Sequence, residues 1–175
     1  MSVYLGSIGG ISVRAKPSAF LWSVVLWAAA TEFSQFVLKT ALPLAIIEGL
    51  AIVAIHWASD IAHQLGHALA ARRVGHPMQR ISLWFLLSSG LYPADEPELP
   101  PAAHRARALG GPTMSVLIAL ATGIIAWAML AAGNHYAWLA VFASLDNLVV
   151  LCIGAFLPLG FNDGSTLLRL RRAAR

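Results

Sequence analysis

Apolar residues run almost unbroken through four stretches, roughly Ser18–Leu38, Ala41–Ala71, Pro112–Ala132 and Ala137–Leu159. Each reaches the roughly 20 residues that a helix needs to cross a bilayer. Two other segments have a different rhythm. The leader "SVYLGSIGGISVRAKPS" alternates and carries Gly9-Gly10 at its middle, which predicts two short strands around a turn, ended by Pro17. After the second stretch comes "QRISLWFLLSS", with strand character, and then the proline-rich "YPADEPELPP". The connection from Val74 to Arg107 is long, and loops of that length in compact proteins are usually functional or disordered. The expected fold is an all-α integral membrane protein forming one membrane domain over residues 1–175, with about four transmembrane helices and short membrane-associated β-strands. The first stretch is not expected to be a cleaved signal, because it follows a strand-like leader and "TEFSQF" is a poor cleavage site.

Composition agrees: 58% of residues are hydrophobic and 11% charged. Charge adds an orientation. Arg14 and Lys16 precede the first span, while Arg72, Arg73, Arg80, Arg105 and Arg107 lie between the second and third. Arg169, Arg171, Arg172 and Arg175 follow the fourth, and only Lys39 falls on the other side. The positive-inside rule then puts both termini in the cytoplasm of a multi-pass protein, as in a prokaryotic cytoplasmic membrane. The net charge of +4 resides in juxtamembrane anchors for anionic lipid. No basic stripe lies outside those flanks, so nucleic acid is not an expected partner. The single cysteine, Cys152, lies in the fourth apolar run and reads as a small core residue.

Ionisable residues inside a span are costly and therefore candidates for function. The second span holds Glu48, His56, Asp60, His63 and His67. Helical spacing places Asp60, His63 and His67 on one stripe, with His56 a turn further back. His63 and His67 can offer two imidazole nitrogens to one ion, as in the zinc motif His-Glu-x-x-His. A polar seam bonded to neighbouring helices would have the same spacing. A catalytic zinc site usually takes three protein ligands, and the third candidate is Asp163 in "LPLGFNDGS", brought back toward the bundle by a helix break at Pro158. Asp60 is the rival third ligand and Asp146 a weaker one. An edge of "QRISLWFLLSS" is a candidate for docking an extended peptide, with Ile81, Leu83 and Phe85 as the contacting side chains.

These segments together resemble the site-2 protease family of intramembrane zinc metalloproteases. "HQLGHALAARRVG" resembles its His-Glu-x-Gly-His-Ala-x-x-Ala-Arg helix, and "ALGGPTMSVLIAL" its Ala-Gly-Pro segment opening the next helix. "LPLGFNDG" resembles its Pro-x-Pro-x-Leu-Asp-Gly motif, and "LGSIGGISVRAKPSAFL" its Gly-Ile-x-Val-Arg-x-His-Pro-Ser leader. The resemblance covers nearly the whole chain in order. It implies a zinc site at His63, His67 and Asp163, and a transmembrane-helix substrate, locally unwound. With so little chain after the fourth span, a minimal four-span member is expected.

The departures fall on the chemistry rather than the ligands. The motif glutamate, the general base, is replaced by Gln64. The family's oxyanion asparagine falls on Ala155, the second proline of Pro-x-Pro on Gly160, and the leucine before the aspartate on Asn162. An amide can hydrogen-bond a water but cannot carry its proton. Three readings are open: an introduced substitution that traps substrate, a natural pseudoprotease that still binds transmembrane partners, or an enzyme in which Asp60 replaces the base. A transporter or lipid-binding bundle built on Glu32, Glu48 and His56 is the reading from a different class, and it requires no metal.

Overall fold

The computed structural model describes residues 1–157 and 163–173. The order of elements is β1 (Val3–Ile8), β2 (Ile11–Ala15), α1 (Pro17–Glu32), α2 (Leu42–Arg73), β3 (Arg80–Trp84), β4 (Leu87–Leu91), α3 (Pro101–Ala131), α4 (Ala137–Leu145), α5 (Gly154–Phe156) and α6 (Asp163–Ala173). Wider π-helical turns extend α1 over Phe33–Val37 and join α4 to α5 over Asp146–Ile153. Among the described residues four helical stretches are long and apolar enough to cross a membrane: Pro17–Val37, Leu42–Arg73, Pro101–Ala131 and Ala137–Phe156. The chain is a four-span, mainly helical membrane protein carrying a small sheet. The break expected at Pro158, and the positions Gly160 and Asn162, lie outside the described residues.

The third span needs correction. Pro112 does not open it; α3 begins at Pro101 and carries Pro112, buried, in its interior. Pro101 fits the first helical turn, where a missing N–H costs nothing, and "AAHRARAL" is rich in helix formers. The cost of an internal proline is met by packing. One face of α3 presents Gly111, Ser115, Ala119 and Ala126, all buried, while Leu120, Ile124 and Trp127 remain 61%, 67% and 73% exposed on the face left to lipid. Small residues on the inward stripe allow close helix approach. A Cβ on Gly66 of α2 would fall on the Gly110 carbonyl, and one on Gly110 would meet the Gly66 carbonyl, so the two backbones touch. The other side of α2 meets α1 through two indoles: Trp57 Nε1 donates to Ser23 Oγ at 2.8 Å, and Trp27 Nε1 to the Ile46 carbonyl at 3.1 Å.

The sheet runs β1-β2-β3-β4, with β2 parallel to β3 and the outer pairs antiparallel. The leader forms the expected hairpin, turning at Gly9 and Gly10 with φ of 57° and 86°, values that glycine adopts without a Cβ penalty. Its inward residues Ile11, Val13 and Ala15 pack with Ala68, Met78, Ile81 and Leu83 against the end of α2. That packing corrects the proposed peptide contacts. "QRISLWFLLSS" is not one strand but a hairpin broken at Phe85 (φ 51°). Ile81 and Leu83 are buried in the core, on a strand paired on both sides, so they offer neither side chain nor edge to a ligand. Phe85 stands exposed at the turn, edge-on to Trp22. Of this hairpin's two strands, β4 is the one at an outer edge of the sheet, β1 forming the other edge.

Candidate metal centre

Helical geometry puts the imidazoles of His63 and His67 one above the other on α2, and both are buried. Their Nε2 atoms lie 3.0 Å apart, and His67 Nε2 is 3.3 Å from Asp163 Oδ2 at the start of α6. One donor atom from each of the three lies within 4.8 Å of the other two. Neither Asp60 nor Asp146 joins this group; Asp146 instead faces His56, with both carboxylate oxygens 3.2 Å from Nδ1.

The donor set fits a tetrahedral ion. Ligand atoms about 2.0–2.1 Å from zinc in a tetrahedral site are about 3.3 Å from one another. The 3.0 and 3.3 Å separations lie near that value, and the His63 and Asp163 donors lie within 4.8 Å of each other. The other ring nitrogens are also engaged as ligating histidines require. His67 Nδ1 lies 2.7 Å from the Arg107 carbonyl and also 3.3 Å from the Gly111 N–H; in the tautomer that donates to the carbonyl the Nε2 lone pair is free, and His63 Nδ1 is 2.9 Å from Ser115 Oγ. Finally, α3 makes room. A Cβ on Gly111 would collide with Nε2 of both histidines. Two imidazoles and a carboxylate thus converge beside a glycine.

Ser115, wholly buried, was not among the sequence candidates, nor was Gly111. The signal for both was the inward stripe of small residues on α3; a helix opening at Pro112 leaves Gly111 outside the span, whereas Ser115 lies inside it. Ser115→Ala removes the partner of His63 Nδ1 and leaves the three donor atoms in place. The expected result is a 10- to 100-fold loss of zinc affinity, on the order seen for such supporting bonds, measured by chelator competition. Unchanged affinity would mean that the hydroxyl does not orient His63.

A cavity of about 490 Å³ opens beside this centre, lined by Asp60, Gln64, β4, Tyr92, the α5 turn and the facing side of α4's π-helical extension. Gln64 is buried, its Nε2 donating to the Ser88 carbonyl of β4 at 3.2 Å. Ala155 lines the cavity, where a methyl group provides no hydrogen-bond donor. Asp60 lines it too, a turn before Gln64, and its buried Oδ2 has no hydrogen-bond partner. The loop between β4 and α3 is pinned by Arg107. Its guanidinium donates to both Glu96 oxygens at 2.9 and 2.8 Å and stacks 3.3 Å from the Tyr92 ring centre. Burial pushes the Tyr92 phenol above its usual pKa, against the pull of that guanidinium. At the opposite end Glu48, buried, bonds to Ser34 Oγ and to His135 Nε2, a latch between α2, the end of the first span and the α3–α4 turn.

The chain thus combines four helices long and apolar enough to cross a membrane, a mixed four-stranded sheet, and a cluster of His63 and His67 from the second span with Asp163 from α6. A scan of protein-family models and a search of curated proteins return no match. Among solved structures the chain is similar to the site-2 protease from Methanocaldococcus jannaschii, with a TM-score of 0.72 at 19% identity, over 100% of this chain and 73% of that one. The likeness is one of fold.

Proposed function

We propose that this chain is a zinc-binding, site-2-protease-like membrane protein that accepts a locally unwound transmembrane helix in the cavity beside His63, His67 and Asp163. The convergence of those three donors on one point, with Gly111 leaving space for an ion, carries this reading. Zinc held there would supply Lewis acidity, lowering the pKa of a water and polarising a peptide carbonyl. The chain's own residues govern the proton. Gln64 can hold a water by a hydrogen bond, but its amide cannot take the proton and return it to a leaving nitrogen. Ala155 gives an oxyanion no donor. Hydrolysis is therefore slow or absent, and the second reading is a pseudoprotease that binds transmembrane partners without cleaving them. Asp60 is the observation favouring turnover: a buried carboxylate on the cavity wall with an oxygen unpaired.

Purified without chelators, the protein should contain about one zinc per chain. A metal-free preparation that also fails to take up added zinc would return the histidines to a polar seam and revive the transporter or lipid-binding class. Orientation has its own test. Reporter tags at both termini should read cytoplasm, and a tag between Gly133 and His135 the opposite side. Termini on opposite sides would refute the charge-based placement.

A further inference from the structure

Gln64 has a bond that a glutamate could not make. The outer strand β4 pairs with β3 alone. In an antiparallel pair, alternate residues turn their N–H and C=O groups away from the partner strand. With Trp84 opposite Leu87 at the mouth of the hairpin, Ser88 is the first residue of β4 to do so. Inside a membrane those groups need partners, because no bulk water is there to satisfy them. They find them on α2. His56 Nε2 lies 3.0 Å from the Leu86 carbonyl, and Gln64 Nε2 donates to the Ser88 carbonyl at 3.2 Å. Between these two, Asp60 is buried on the same face of α2 and lines the cavity with Ser88, its Oδ2 without a hydrogen-bond partner. Two polar residues of α2 thus each donate to a main-chain carbonyl of this hairpin, His56 to Leu86 in the turn and Gln64 to Ser88 in β4. His56 is held in turn by Asp146, so the fourth span braces the row from behind. Gly90 lets the strand come close, since a Cβ there would meet Met78 and lie 3.2 Å from Gln64 Oε1.

We propose that His56 and Gln64 form a side-chain clamp on the β3–β4 hairpin that caps the outer edge at Ser88, with Gln64 the positioning residue that holds Ser88 over the cavity. A carboxylate at position 64 has only acceptor oxygens and would face the Ser88 carbonyl lone pairs. The amide is thus fitted to its surroundings, and the residue in the general-base position holds the strand. A second consequence concerns the ligand, and it rests on the proposed function: an extended segment that pairs with β4 must bring its own N–H to Ser88 and displace the Gln64 amide. The clamp competes with the segment it would receive.

The test uses the intact protein in lipid nanodiscs, with and without zinc. Gln64→Met keeps side-chain length and removes the donor; Gln64→Glu removes the donor and adds charge. Hydrogen exchange across residues 86–91 should accelerate about tenfold in both variants, the effect of losing one net hydrogen bond. Exchange within α3 should stay as in the wild type. Binding gives a readout that a merely structural role would not move. A dye-labelled apolar nonapeptide should bind Gln64→Met more tightly than wild type, by up to about tenfold. The same peptide N-methylated at its central residues should show no such gain. Unchanged β4 exchange in both variants, or an equal gain for the N-methylated peptide, overturns the clamp. Because exchange is read in zinc-free protein as well, a chain that binds no zinc but loosens β4 on mutation would sink the metal reading and leave the clamp standing.

Discussion

His67→Ala and Asp163→Ala should each reduce bound zinc to background, and Gly111→Ala should do the same without altering any ligand. The first two remove one of three protein donors, and a site left with two no longer has the set that zinc centres use. The third works by volume. The added methyl would occupy the place where the two Nε2 atoms meet, so the imidazoles must swing apart or α3 must withdraw, and α3 cannot withdraw while Gly110 touches Gly66. Gly123→Ala is the matched control on the same helix, since its Cβ would meet only Ser144 Oγ at 3.1 Å. Metal analysis of the four purified variants decides the matter. Full zinc content in Gly111→Ala would place the ion elsewhere. Loss in Gly123→Ala as well would point to a helix generally intolerant of bulk.

The second large effect is on turnover. Gln64→Glu introduces a group able to accept and return a proton, an acid–base contribution of about 10²–10⁴ in rate. It also gives up the bond to the Ser88 carbonyl, so part of that gain is offset by a looser β4. Ala155→Asn supplies a donor from the α5 turn, worth about 10²–10³ where an oxyanion develops. The double variant should cleave a co-expressed membrane substrate faster than either single one, and by more than their product if the two groups act on one transition state. If Asp60 already serves as the base, the unaltered protein cleaves, and Asp60→Asn stops it with zinc retained. Zinc-loaded protein that stays inert in every one of these forms, wild type included, argues for a helix-binding module.

Much of this fold could be read from the chain because a bilayer leaves few choices. Long apolar runs become helices, and the Gly9-Gly10 turn between alternating residues becomes a hairpin. The His63–His67 pair was visible for the same reason: its geometry is local, one helical turn. Asp163 was approachable only through its motif, since nothing in spacing links it to a helix almost a hundred residues earlier. The supporting contacts were not legible. His63 with Ser115, His67 with the Arg107 carbonyl and His56 with Asp146 join positions 52, 40 and 90 residues apart. Such pairings depend on how helices cross, and the crossing is set by glycines whose role appears only when the facing backbone is known. The strand character around Ile81 and Leu83 was legible, but not which face of that strand would be covered. Nor could it tell whether a ligand or the protein's own leader would cover that face.

The Gly66–Gly110 contact also divides the cavity's surroundings by stiffness. Where two main chains abut there is no side chain to rotate aside, so α2 and α3 move as one body. The other boundary is made differently. It consists of β4, held by hydrogen bonds from α2, and a fourth span whose wide turns over Asp146–Ile153 lack regular α-helical bonding. A transmembrane segment entering the cavity as proposed would therefore meet one wall that cannot yield and one that can. Under that proposal admission falls to the hairpin and the fourth span, while His63 and His67 on α2 keep their spacing from Ser115 and Gly111 on α3 whether the chamber is filled or empty.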